Sequence, residues 1–464
     1  MSRISIKYNE WKNERADREI LYKSLFALVL PIAIQNLLAS LVNSVDILML
    51  GYIGQDELAA VSLASQYMFI LWGFFFGISS AATLMNSQYW GKGDKRAIQA
   101  IFGIALKISM VVTALVLIGC VFFPRPLMTL YTNDATLTEI GVRYLRTIGI
   151  SYFIMSFGQC YMCTLRSVEM AKKSTIISTI TLIINVGLNA VFIFGLFGAP
   201  KLGVFGVAIA TVIARVIEFI ICIVDYAKGT IFKPDLGLLF GSHKELWNDF
   251  LKYSGPALVN DLSWTLAFST YSIILGHLNN DMVAASSVAT TLRDLFTTVC
   301  FGISAGGTVI IGKELGGSHL DRAKKDASRI CVITFFFTIF MSFILVLARH
   351  PMMSLFTLTT TAYGYLDIMM LISSYYIVGQ AMNTLLIGGI FRAGGNTKFG
   401  LICDSIVMWC IAVPLGFVSA FVLKLPPMVV YFILCLDEFW KVPVVYKYYK
   451  SYKWLNNITK EGIV

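Results

Sequence analysis

Apolar residues run through this chain in blocks long enough to cross a bilayer, and short polar connections separate them. The first block, Leu25 to Gly51, carries the amides Gln35, Asn36 and Asn43 and the acid Asp46. About 20 helical residues at ~1.5 Å each cover the ~30 Å hydrocarbon core, so the block predicts a membrane-spanning helix. With about 100° of turn per residue, these four positions fall in one stripe roughly 100° wide. An ionisable side chain at the bilayer centre costs on the order of 2.5–3.5 kcal/mol and needs a partner, a water-filled cavity or a proton. A membrane helix with one polar stripe lines a path, and Asp46 is the member of this stripe that can carry charge.

The same pattern predicts about twelve spans. They cover 24–50, 60–88, 98–123, 140–165, 174–197, 203–225, 248–275, 283–312, 327–348, 364–390, 399–422 and 427–448. Every second connection is rich in Lys and Arg: Lys92, Lys95 and Arg96 in one, Arg166, Lys172 and Lys173 in another, Lys313, Arg322, Lys324, Lys325 and Arg329 in a third. The alternate connections hold at most one basic residue each, such as Arg125 or Lys201. Basic loops stay on the cytoplasmic side, which predicts an even number of spans and two cytoplasmic termini.

Composition agrees with a polytopic protein of the cell membrane. The 464 residues are 57% hydrophobic and 14% charged, with a mean hydropathy of +0.73, whereas soluble chains average about 25% charged. Residues 1–23 mix acids with bases, and the apolar run after them is too long for a signal-peptide core, so neither a cleaved signal nor a soluble domain is expected. The net charge of +10 sits in short loops, where membrane orientation explains it without nucleic acid. Nine cysteines, including the Cys160–Cys163 pair, lie in apolar segments and read as small buried hydrophobes. The Asn457-Ile-Thr459 sequon falls in the basic tail, on the side where glycosylation does not occur.

The chain repeats itself. Pro31 and Pro256 are 225 residues apart (256 − 31), and the same offset pairs Gly51 with Gly276, Phe76–Ser79 with Phe301–Ser304, and PLMTLYT from Pro126 with PMMSLFT from Pro351. An even number of spans per copy keeps both copies the same way up, so the repeats are parallel. The predicted fold is therefore an all-α membrane protein of two parallel six-helix repeats around a central cavity. It comprises a cytoplasmic segment (1–23), an N-lobe (24–225), a cytoplasmic linker (226–247), a C-lobe (248–448) and a cytoplasmic tail (449–464).

Three strings, VDILMLGYIGQDELAAVSLASQ at 45–66, QYWGKGD at 88–94 and INVGLNAVFIFG at 184–195, together with FRAGGNTK at 391–398, resemble the multidrug and toxic compound extrusion (MATE) family over essentially the whole chain. The resemblance implies a cation-coupled exporter. It also implies an N-lobe cation site at Asp46, with the matching positions Asn185 and Asn189 on the fifth span and Thr211 on the sixth. Independently of the family, Asn185 and Asn189 are i and i+4 on one helix face. One carboxylate, two amide carbonyls and a hydroxyl are hard oxygen ligands suited to a hard cation. Some relatives have a second acid where Asn189 stands; its absence favours sodium as the coupling ion and leaves the proton open. The alternative at these positions is a packing network of polar residues.

Further candidates are Gln35 and Asn43 on the first span, and Arg215 and Glu218 on the sixth, which read as a structural ion pair or as a pair that exchanges partners. One branch of the family implies a C-lobe acidic site whose matching positions here are Trp264 and Asn383, neither of which ionises. Asp261, one turn before Trp264, is a substitute. Asp404 is a candidate for lining the substrate cavity, and Arg293 with Asp294 reads as a self-neutralising pair. Aromatic residues such as Phe268 and Tyr271 suit lipophilic cations.

Other chemistries are disfavoured. Gly302-Ile-Ser304-Ala-Gly306 matches GxSxG, but it lies mid-span and the four histidines lie in or beside connections. No GxxxxGK[ST] string is present, so ATP is not the direct energy source. The expectation is a monomeric secondary antiporter, not an enzyme, that needs no cofactor and exports small amphipathic or cationic compounds in exchange for Na+ or H+. Its only metal is a possible Na+ at Asp46, and membrane lipid surrounds it. A lipid-linked precursor flippase of the same superfamily and a non-transporting scaffold are the rival readings.

Overall fold

The computed structural model describes residues 3–354, 356 and 358–461, except for the side chains of 3–16, 43, 44, 47, 48, 51, 55 and 280. The described chain is helical: α1 (Arg3–Ile53), α2 (Gln55–Ala64), α3 (Gln66–Lys92), α4 (Lys95–Phe122), α5 (Pro124–Thr129), α6 (Ala135–Ser167), α7 (Ala171–Phe194), α8 (Val204–Ala227) and α9 (Leu236–Phe240) come first. Next are α10 (Lys244–Gly276), α11 (Asn280–Gly316), α12 (Leu320–Met353) and α13 (Thr360–Asn383), the last prolonged by π-type turns to Phe391. Finally α14 (Thr397–Ser405) and α15 (Val413–Phe417) are joined and extended by π-type turns into one span ending at Val422, followed by α16 (Pro427–Leu434) and α17 (Asp437–Lys450).

Among the described residues ten helices are long and apolar enough to cross a membrane. They fall on the first six predicted spans and on the eighth to the eleventh. The seventh, α10, is long enough, but Asn260, Asp261, Ser263 and Trp264 interrupt its apolar run. The twelfth is divided by a turn at Cys435 and Leu436 into pieces of 8 and 14 residues.

The repeat is visible in the helix ends and faces. α3 stops at Gly93, whose φ of 81° is left-handed, a conformation that glycine adopts without steric cost. The Asp94 carboxylate then caps α4 by accepting from Ala97 N at 3.0 Å. The residue 225 positions on, Ser318, takes the same left-handed turn (φ 61°) between α11 and α12. On α4, Val111, Leu115, Ile118 and Phe122 form an exposed apolar ridge, and the residues 225 positions later, Phe336, Phe340, Phe343 and Leu347, form another on α12. Such ridges suit acyl chains rather than water.

The chain forms two compact units. The amino-terminal unit comprises Ile34–Leu258 and Lys460–Val464, and the carboxy-terminal unit Met1–Ala33 and Val259–Thr459. The cuts after residues 33 and 258 are themselves 225 apart, just beyond Pro31 and Pro256. In the first unit, a Cβ on Gly77 of α3 would come 2.9 Å from Leu258 of α10. In the second, a Cβ on Gly306 of α11 would come 3.1 Å from Val29 of α1. Small residues bring helices this close where lipid gives no hydrophobic drive to associate. Within the amino-terminal unit, Lys460 Nζ reaches Asp249 at 2.6 Å, and this hydrogen bond holds the ammonium above its ordinary value.

Candidate functional site

Three helices of the amino-terminal unit bring the predicted N-lobe residues together. Asn189 Nδ2 on α7 donates to Asp46 Oδ1 on α1 at 2.8 Å. Asn189 Nδ2 also lies 3.5 Å from Asn185 Oδ1 one turn earlier. Asn185 Nδ2 in turn donates to Thr211 Oγ1 on α8 at 3.3 Å, and Thr211 donates onward to Val207 O at 3.0 Å. Asn189 is 1% exposed, and its Oδ1 is buried with no hydrogen-bond partner. A buried acceptor without a donor is costly, and here it stands one side chain away from a carboxylate. Sequence reasoning missed Tyr144 of α6, which is hydrogen-bonded to Ser65 and close enough to Asp46 to feel its charge. It sits between Arg143 and Arg146 in the sequence, and no spacing along the chain ties it to Asp46.

The polar stripe of α1 has a second anchor. Gln35 Nε2 donates to Ser178 Oγ on α7 at 2.8 Å. Its partners are 143 residues apart, as are Asp46 and Asn189, so α1 and α7 run parallel in one register. Asn36 is exposed, and the side chain of Asn43 lies outside the described residues.

Arg215 and Glu218 form an ion pair at 2.7 Å on α8. Glu218 is 1% exposed, and its other oxygen, Oε1, has no partner. It rests against Gly158 of α6, where a Cβ would come within 2.6 Å of it.

The carboxy-terminal unit holds a larger buried charge network than the sequence announced. Lys441 Nζ lies 3.0 Å from Asp404 Oδ1 and 3.2 Å from Glu438 Oε1. Asn260 Nδ2 donates to Asp404 Oδ2 at 3.1 Å, and Asn383 Nδ2 donates to Glu438 Oε2 at 2.8 Å. Asp437 Oδ1 accepts from Glu438 N at 2.8 Å, and Tyr271 Oη lies 3.4 Å from its Oδ2. Asp404, a candidate for lining a cavity, is instead buried with both oxygens engaged, because Lys441 holds it. Asp261, the candidate substitute acid, is paired with Arg392 at 2.8 Å. Trp264 packs its ring 4.2 Å from that of Phe268. Arg293 Nε stands 4.0 Å from Asp294 Oδ1, a loose contact rather than a closed pair. Lys441 was legible only as the i+3 partner of Glu438.

Comparison with known proteins agrees with this layout. The MatE family model matches residues 31–191 and again 256–418, two stretches whose starts are 225 apart. Relatives include an uncharacterised transporter YisQ of Bacillus subtilis (strain 168), 26% identical over 93% of this chain and 95% of its own. A probable multidrug resistance protein NorM of Haemophilus ducreyi is 25% identical over 85% of this chain and 86% of its own. Among solved structures, an outward-facing multidrug resistance MATE transporter of the MOP superfamily superposes with a TM-score of 0.83 at 18% identity, covering 93% of this chain and 95% of its own. A MATE structure in a bent conformation gives 0.84 over 93% of this chain and 95% of its own, also at 18% identity. At that identity the structures establish the fold, while the family model, matching more than half of the chain in two copies, establishes descent. This chain belongs to the MATE family of multidrug efflux transporters.

Proposed function

We propose that this chain is a secondary antiporter of the cell membrane, exporting small amphipathic, mainly cationic compounds in exchange for sodium ions or protons that load at Asp46. The observation that carries this reading is the Asp46–Asn189 pair, in which the amide nitrogen faces the carboxylate while the amide oxygen has no partner. A proton on Asp46, or a sodium ion beside it, removes the negative charge that the amide nitrogen faces. A half-turn of the Asn189 amide then presents its carbonyl oxygen to the proton or the cation. Asp46, both asparagine carbonyls and Thr211 Oγ1 are hard oxygen donors of the kind sodium takes.

Loading therefore re-pairs side chains of α1, α7 and α8. Pro31 interrupts the hydrogen bonding of α1 and gives that helix a place to bend. Bent and straight conformations are described for solved structural neighbours, and a change of this kind on ion loading is what we expect of α1. The energetics permit coupling. One elementary charge moved across ~100 mV yields about 2.3 kcal/mol, which at ~1.4 kcal/mol per tenfold supports a gradient of roughly 40-fold for an uncharged or zwitterionic substrate. A monovalent cation exchanged one for one moves no net charge and is driven by the ion's own concentration gradient.

Ethidium bound to the purified protein, followed by fluorescence polarisation, tests this reading, because antiport requires ion and substrate to oppose each other's binding. Rising sodium or falling pH should displace ethidium from the wild type and leave it on Asp46→Asn. Ethidium binding indifferent to both ions in the wild type would overturn the antiport mechanism.

A further inference from the structure

A cavity of about 220 Å³ lies within the carboxy-terminal unit, lined by Arg293, Tyr271, Tyr376, Ser286, Ser287 and Thr290 among others. Ser286, Thr290 and Arg293 follow one another at i, i+4 and i+7, so one face of α11 turns a basic and hydroxyl-bearing row into it. Arg293 is 6% exposed, and its Nε is buried with no hydrogen-bond partner. Its guanidinium sits 4.8 Å over the ring of Tyr376, and the Oη of that tyrosine is likewise buried without a partner. Asp294, the adjacent acid, stands 4.0 Å from Nε, with its side chain 62% exposed.

A guanidinium carries five donors and favours two-pronged recognition of a carboxylate. A buried guanidinium that leaves a donor unused, as Nε does here, is costly unless something else accepts from it. The hydrogen bonds described for the nearby Asp437 come from Glu438 N and Tyr271 Oη rather than from Arg293. The cavity offers aromatic faces, hydroxyls and one positive charge. It is smaller than the ~300 Å³ at which drug-sized sites begin, so it admits one end of a molecule.

We infer that this cavity binds the carboxylate end of an aromatic organic acid, with Arg293 as the counter-charge and the Tyr271 and Tyr376 rings holding the apolar part. The inference rests on the exporter reading and extends the transported class from cations to acids and zwitterions. Arg293 is the specificity-determining residue.

Isothermal titration calorimetry of the full-length protein in detergent, with 2-naphthoate and its cationic counterpart 2-naphthylmethylammonium as probes, tests it. Naphthoate should bind the wild type, and Arg293→Gln should weaken it by about tenfold or more. Arg293→Lys should recover part of the affinity, and the ammonium probe should be indifferent to all three. Thr290→Trp, which fills the cavity without altering charge, should also weaken naphthoate and serves if Arg293→Gln fails to fold. Equal naphthoate affinity in the wild type and either cavity variant would overturn the inference, as would an affinity for the ammonium probe that falls with naphthoate in Arg293→Gln. Ion-driven ethidium flux without naphthoate binding would remove the acid site and leave the exporter. Naphthoate binding that follows Arg293 without any ion-driven flux would keep the site and remove the exporter.

Discussion

The Asn189 amide nitrogen donates to Asp46 Oδ1 at 2.8 Å while the oxygen of the same amide is buried with nothing to accept from. The amide can therefore answer two states of one carboxylate. Asn189→Leu keeps the volume but removes both responses. Because hydrogen bonds to charged groups contribute about 1.5–3 kcal/mol, the ion concentration for half-maximal ethidium flux should rise about tenfold or more in that variant. Flux titrated against sodium and against pH in liposomes measures it.

Gln35 and Ser178 repeat the α1–α7 pairing eleven residues earlier on each helix (46 − 35 and 189 − 178), about 16 Å away along the axis. No charge is involved there. Gln35→Leu should cost only about 1 kcal/mol of stability and leave the ion dependence of transport unchanged. The thermal midpoint and the flux titration separate these effects.

Gly158 makes room for the buried Glu218 carboxylate. Gly158→Ala should lower stability by about 1–3 kcal/mol through overpacking. Glu218→Asp in the same background, one methylene shorter, should restore part of the loss. Thermal unfolding of the single and double variants reads this directly.

Lys441 neutralises acids that are otherwise packed away from water. Lys441→Met leaves Asp404 and Glu438 without their cation, and removing one partner of a buried pair costs about 3–5 kcal/mol. Tyr271→Phe, which removes only a 3.4 Å contact to Asp437, should cost far less. Chemical or thermal unfolding of both variants in the same detergent gives the comparison.

Apolar periodicity, proline spacing and the 225-residue offset made the spans and their duplication readable without coordinates, because a bilayer demands long uninterrupted helices. Asp46 was readable because a polar stripe in an apolar helix has few physical excuses, and Asn185 and Asn189 because they share one helix face. Their union with Thr211 into one site was implied by the resemblance to the MATE family rather than by any spacing. The carboxy-terminal network was not. Asn260, Asn383, Asp404 and Lys441 come from different helices, and no spacing along the chain reports which side chains meet across a bundle. Only Glu438 and Lys441, three residues apart, carried a local signal. Arg293 was read with its sequence neighbour Asp294, whereas the helix turns the two side chains to different surroundings.

Ethidium uptake into inverted membrane vesicles, with a sodium gradient and a pH gradient imposed one at a time, tests the role of Asp46 most directly when the wild type and Asp46→Asn are compared at equal protein levels. At least one gradient should drive uptake in the wild type, and neither should do so in the variant. Uptake by Asp46→Asn that matches the wild type under the same gradient would contradict the assignment of Asp46 as the point where the ion loads.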